Sequence, residues 1–168
     1  MTTYPASRPA TGGGGGDEPH AHVRWQPAAA AVVGLWLLRL ITAAALAVDA
    51  YVHADLAPAY DFAGKGISQG DLFRIEAAAA ALAALLLVLL GRRPLVWAYA
   101  LLVAAAGTGA VLLYRYVDVG ALGPLRNMYE PVWYPEKTLS AVAEAAAVVA
   151  ALCGLVLTHR WRNRVPGP

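Results

Sequence analysis

A chain of 168 residues with 59% apolar and only 14% charged residues lies outside the soluble balance, in which about a quarter of residues are charged. Its net charge of +2 is small and its basic residues are dispersed among loop ends, which excludes a nucleic-acid partner. One cysteine, Cys153, leaves no CxxC pair for thiol redox work, and no Walker loop, dinucleotide fingerprint or HExxH motif is present.

Residues 1–27 contain Pro5, Pro9, Pro19 and the run Gly12 to Gly16. They hold too little apolar surface to offset the entropy of ordering, so a disordered cytoplasmic tail is expected. A cleavable signal needs a short apolar core near the start, whereas the first apolar run here begins near Pro27 and is long enough to stay as an anchor.

Four apolar runs follow, over about 28–50, 72–90, 95–117 and 138–158. Each is near the 20 residues that, at about 1.5 Å rise, cross a hydrocarbon core of roughly 30 Å. Lipid offers no water to the backbone, and no run alternates with a period of two, so the spans are expected to be helices. A soluble bundle would need a polar face that Ala77 to Leu90 lacks. The expected fold is all-α, a transmembrane four-helix bundle over 28–159, with a short basic cytoplasmic tail over 160–168. Two parallel helical-hairpin repeats are one reading of it. Leu72 to Ala78 and Leu139 to Ala146 each return from a long outer loop with Glu76 or Glu144 ahead of small residues, although Ala-rich spans also align by chance.

Arg8, Arg24, Arg92, Arg93, Arg160, Arg162 and Arg164 fall on one side. The other side mixes Lys65, Arg74, Arg115, Arg126 and Lys137 with carboxylates. The positive-inside rule then puts both termini in the cytoplasm of a bacterium, with the chain in its plasma (inner) membrane. Trp97, Tyr99 and Trp161 are expected at the inner interface, and Tyr51, Tyr116 and Trp133 at the outer. The small-residue stripes Ala146, Ala150, Gly154 and Ala105, Gly109 suit close helix contacts.

Charges at depth are the main functional signal. Arg39 near the middle of the first span is costly unless it faces protein. Counting along the helices leads to an ion pair with Glu144, joined or overlain by Glu76, as an intramembrane polar cluster. The plainer alternatives are a staple between helices, or an Arg39 that snorkels to the inner headgroups. A separate outer-face cluster is expected from Asp49 and His53, one helical turn apart, with Arg74, Arg115, Asp118 and Glu136 at the same boundary. Asp49, His53 and Glu76 are weak candidates for a divalent cation, without the spacing of a closed site. Before the last span, Pro131 and Pro135 stiffen a loop carrying Tyr129, Trp133 and Tyr134, which suits either a lid over the bundle mouth or an aromatic partner surface.

Leu37-Leu38-Arg39-Leu40 leading into a small-residue-rich helix, within a compact four-span protein, resembles the DoxX-like family of bacterial membrane proteins. The resemblance covers the first span and the layout; where that family usually has a Gly and a Lys, this chain has Asp49 and His53. It implies an accessory or quinone-linked subunit of a membrane redox assembly. The loop Asn127 to Lys137 is similar to that of an uncharacterised bacterial family of integral membrane proteins, which implies no activity.

Three function classes follow: a structural or accessory component of a membrane assembly, a DoxX-like redox accessory, and a small oligomeric transporter or channel using Arg39, Glu76 and Glu144. A soluble-type enzyme is not expected, and no cofactor is indicated. The partners implied are the lipid bilayer and either further copies of the chain or subunits of a membrane complex.

Overall fold

The computed structural model describes residues 27–61 and 66–164, so the reading of residues 1–26 as a disordered tail lies outside the described residues. Four helices follow in chain order: α1 (Pro27–Leu56), α2 (Gln69–Leu90), α3 (Pro94–Tyr116) and α4 (Pro135–Arg164), with a 3₁₀ turn at Ala57–Tyr60 after α1. All four are long and apolar enough to cross a membrane. α1 packs on α2 and α4, and α3 packs on the same two, giving a closed up-down-up-down bundle of antiparallel neighbours. The start of α1, the end of α4 and the α2–α3 turn lie on one side, the terminal side; the two long connections lie on the other, the loop side.

Local chemistry explains the helix ends. Ser68 caps α2 in a capping box, its Oγ accepting from the Asp71 N–H at 2.9 Å while the Asp71 carboxylate accepts from the Ser68 N–H at 3.1 Å. Pro94 opens α3 in the first turn, where its missing N–H costs nothing. α1 and α4 run further than their apolar stretches: α1 continues past residue 50 to Leu56, and α4 extends from Pro135 to Arg164. Burial continues along one face of the α1 extension through Val52 and His53 and on to Ala57 of the 3₁₀ turn.

Small side chains fill the interior and large ones face outward. Ala80, Ala83, Ala100, Ala104, Ala147 and Ala151 are fully buried, while Leu37, Leu85, Leu102 and Val149 are exposed on the outer surface. This is the packing expected where lipid supplies no hydrophobic drive and close backbone approach must supply dispersion contacts. Trp97 belongs to this core rather than to the interface expected for it: it is fully buried, and its Nε1 donates to the Gly91 carbonyl at 2.7 Å. Its ring leaves no room for a side chain at Gly154. Of the Gly154 stripe, Ala150 and Gly154 are buried and Ala146 is exposed, and the other small-residue stripe faces outward altogether. Ala105 and Gly109 are exposed, and nothing lies within 4 Å of a Cβ built at Gly109.

The two loop-side connections meet. The Ile67 N–H donates to the Pro124 carbonyl at 3.1 Å, and Gly66 has a positive φ of 112°, where a Cβ would strike that carbonyl.

A contrast between two glycines tests this packing. Gly154→Ala is expected to lower the thermal unfolding midpoint in detergent, by the equivalent of about 1–3 kcal/mol of overpacking. Gly109→Ala is expected to leave it unchanged or raise it by up to about 1 kcal/mol. Equal effects from the two would contradict the α3–α4 contact.

Candidate carboxylate and imidazole site

Inward stripes on α1 and α4 carry polar residues at helical spacing. On α1 the buried positions Thr42, Leu46, Asp49 and His53 follow at intervals of three or four, and on α4 Lys137, Ser140, Glu144 and Ala147 do the same. The bundle faces these stripes toward each other. Ser140 Oγ donates to Asp49 Oδ1 at 2.6 Å and lies 3.4 Å from Glu144 Oε1. His53 Nδ1 lies 3.0 Å from Asp49 Oδ1 and 3.1 Å from the Asp49 carbonyl oxygen. One ligand atom from each of Asp49, His53 and Glu144 falls within 4.8 Å of the others.

Glu76 arrives from α2, diagonally opposite α4. Gly107 of α3 makes the space: a Cβ there would stand 2.8 Å from Glu144 Cδ and 3.3 Å from Glu76 Oε1. Asp49 and Glu144 are 0% exposed, yet Asp49 Oδ2, Glu144 Oε2 and Glu76 Oε1 have no hydrogen-bond partner. Three carboxylates against one imidazole carry more negative charge than the protein balances, so the site must take up cations, either protons or a metal ion.

A cavity of about 320 Å³ adjoins the cluster on its loop side, along the facing outer halves of α2 and α3. His53, Phe73, Glu76, Gly107, Tyr134 and Ser140 are among its walls. The His53 ring meets Phe73 edge to face at 5.2 Å, and Phe73 meets Tyr60 at 5.0 Å. Over the mouth, Tyr60 Oη and Tyr134 Oη are 2.9 Å apart, and the Tyr60 hydroxyl donates to the Glu130 carboxylate at 3.3 Å. Lys137 Nζ donates to the Glu130 carbonyl at 2.6 Å. Beyond this mouth, the exposed Arg74 and Asp61 form an ion pair, and that hydrogen-bonded guanidinium holds the Asp61 carboxyl below its ordinary value.

The arrangement divides the expected residues differently from the sequence. Asp49 and His53 belong with Glu144 and Glu76 in one buried cluster, not at the outer face, because α1 continues for seven residues beyond Asp49 and sets it about 10 Å inside the helix end. The rest of the expected outer-face cluster does not assemble with them. Arg74 joins Asp61 and Asp71; Arg115 lies over the rings of Tyr116 and Trp133; Asp118 accepts from the Gly120 N–H and from Asn127; Glu136 is exposed in the first turn of α4. Of the loop aromatics, Tyr134 covers the mouth, whereas Tyr129 and Trp133 are each 39% exposed.

Arg39 is the larger correction. Among the described residues no ion pair joins it to Glu144 or Glu76. Ten residues separate it from Asp49, about 15 Å along α1. It reaches instead to the terminal-side end of α2, where Nη2 donates to the Val88 carbonyl. Val88 is in the last turn, where carbonyls lack a helical partner and the helix dipole favours a cation. Ser140, Gly107, Tyr60 and Lys137 escaped the sequence reading. Ser140 was legible as the residue one turn before Glu144, but the part played by Gly107 depends on a neighbouring helix.

Compared with known proteins, the chain matches no family model, no curated protein and no solved structure.

Charge removal tests the cluster. Without added metal at neutral pH, Glu144→Gln is expected to raise the unfolding midpoint, by the equivalent of about 1–3 kcal/mol, because an amide needs no counter-charge. Gly107→Ala is expected to lower it by displacing the Glu144 carboxylate. A destabilising Glu144→Gln would mean that the ionised carboxylate is already satisfied.

Proposed function

We propose that the chain is an integral protein of a bacterial plasma membrane, with its terminal side cytoplasmic, and that it binds a divalent transition-metal ion at Asp49, His53 and Glu144. The observation that carries this reading is the convergence of one imidazole and two fully buried carboxylates within 4.8 Å, with one oxygen of each carboxylate unpaired. A nitrogen with two carboxylate oxygens suits Zn²⁺ or Mn²⁺. Ligands around bonds of about 2.1 Å stand roughly 3.4 Å apart, so a modest closure of these side chains would complete the site. Glu76 stands ready as a fourth ligand or as a base beside it. Arg92, Arg93, Arg160 and Arg162 on the terminal side support the orientation.

Access is one-sided. The cavity under Tyr134 leads to the cluster from the loop side, while toward the terminal side Leu46, Ala80, Ala83, Ala104 and Ala147 form an apolar layer. This supports capture of an ion from the outer side, as a binding or accessory protein would do, over a continuous channel. Small-residue faces that could serve oligomer assembly are partly spent within the fold, since Gly154 and Gly107 accommodate Trp97 and Glu144.

Metal titration of the purified full chain, after chelation and with the ion counted by mass spectrometry, tests the proposal. One Zn²⁺ or Mn²⁺ per chain is expected, with affinity reduced at least about tenfold by Asp49→Asn or His53→Ala. Binding no stronger than that of the Asp49→Asn/His53→Ala/Glu144→Gln triple variant would overturn it and leave protons as the counter-charge.

The ligands must lose protons to bind, so apparent affinity is expected to fall on acidification from pH 7.5 to 5.5, by about tenfold per unit for each proton displaced. Isothermal titration at several pH values in two buffers of different ionisation enthalpy reads that proton count. A pH-independent affinity would argue against these ligands.

A further inference from the structure

At the opposite end of the bundle, a second cavity of about 320 Å³ lies between the terminal-side ends of α1 and α4, beside the α2–α3 turn. Its polar walls are Arg39, Arg92, Arg162 and Thr158, and among the described residues no carboxylate lines it. Two indoles, Trp36 and Trp161, flank them, each at least 40% exposed. The chemistry here is the opposite of the loop-side cluster: three cations, aromatic walls and, among the described residues, no protein counter-charge.

Arg39 anchors the cavity. Its side chain is 8% exposed, and its guanidinium carbon sits 4.2 Å from the centre of the Trp36 ring. Arg92 lies close enough to act on it electrostatically. One Arg39 nitrogen serves the Val88 carbonyl, but Nε is buried with no partner. Gly91 leaves room for this side chain, since a Cβ there would stand 2.8 Å from Nε. Beyond the bond to Val88 the planar guanidinium has further N–H donors, and a phosphate that accepts from them can be surrounded by the second and third guanidinium.

We infer that this cavity binds the phosphate headgroup of an anionic phospholipid from the leaflet on the terminal side. A free phosphate would satisfy the guanidiniums alone. The exposed indoles favour the lipid, because Trp sits at the headgroup boundary with its apolar body against acyl chain and its N–H toward water. The apolar α1 residues Val32 and Leu35 also line the cavity. The site stands on residues separate from the metal cluster and does not depend on it.

Native mass spectrometry of the delipidated full chain, titrated with phosphatidylglycerol or phosphatidylcholine, is the test. Phosphatidylglycerol is expected to bind at least about tenfold more tightly. Arg92→Gln with Arg162→Gln, both at exposed positions that the fold does not require, is expected to weaken it by about fivefold per charge removed. Arg39→Gln is expected to remove the preference, and Arg39→Lys to restore it only in part, because an ammonium lacks the fork. Equal binding of the two lipids, or unchanged binding by the Arg92/Arg162 variant, would overturn the inference. Full displacement of phosphatidylglycerol by millimolar inorganic phosphate would also overturn it, by reducing the cavity to a small-anion site.

Discussion

Lipid around a helix bundle supplies no hydrogen bonds, so a polar group below the loops must find its partner within the protein. Much of this chain follows from that constraint. Thr42, Thr108 and Thr158 donate back to the carbonyls of Leu38, Ala104 and Gly154. Trp97 answers the Gly91 carbonyl, Arg39 answers Val88, and Ser140 answers Asp49. Against this background the unanswered atoms stand out. Of the five buried side-chain atoms without a partner among the described residues, three are carboxylate oxygens of Asp49, Glu76 and Glu144, and a fourth is Arg39 Nε. The carboxylates and the guanidinium mark opposite ends of the bundle, and each end lacks the charge that the other has in excess.

Separation of those ends depends on what lies between them. From Leu46 to Leu87 and Trp97 the interior is built largely of alanine, with Thr42 spending its hydroxyl on the Leu38 carbonyl, so the helices approach closely and set no charged group between the two ends. An Arg39–Glu144 pair would have required the guanidinium to cross this layer. Binding the end of α2 costs far less, because the carbonyls of its last turn already need donors. Glycine decides the remaining detail. At Gly107 and Gly154 the missing Cβ admits a carboxylate and an indole, respectively.

The loop side is organised around access. The first connection contributes Tyr60 and the second contributes Glu130 and Tyr134, so the roof of the cavity is shared between segments distant in sequence. Backbone pairing of Ile67 with Pro124 ties the same two connections together. A roof of hydrogen-bonded hydroxyls over a charged cluster shields the carboxylates from bulk water, which strengthens any electrostatic interaction made inside.

Four spans, their helical state and the even number of crossings were legible in the sequence, because hydropathy over 20 residues and the backbone's need for internal hydrogen bonds leave few alternatives. Glu76 and Glu144 were legible as charges at depth for the same reason. Ending the first span near residue 50, however, put Asp49 and His53 at the outer boundary, since hydropathy falls there while α1 and its buried stripe continue to Leu56. Only the tertiary structure joined those two residues to Ser140 and Glu144, placed Gly107 behind them, and sent Arg39 to the far end of α2. Depth along one helix can be counted from its residues, but which groups meet across helices depends on rotation and packing, and small-residue surfaces allow several solutions to both.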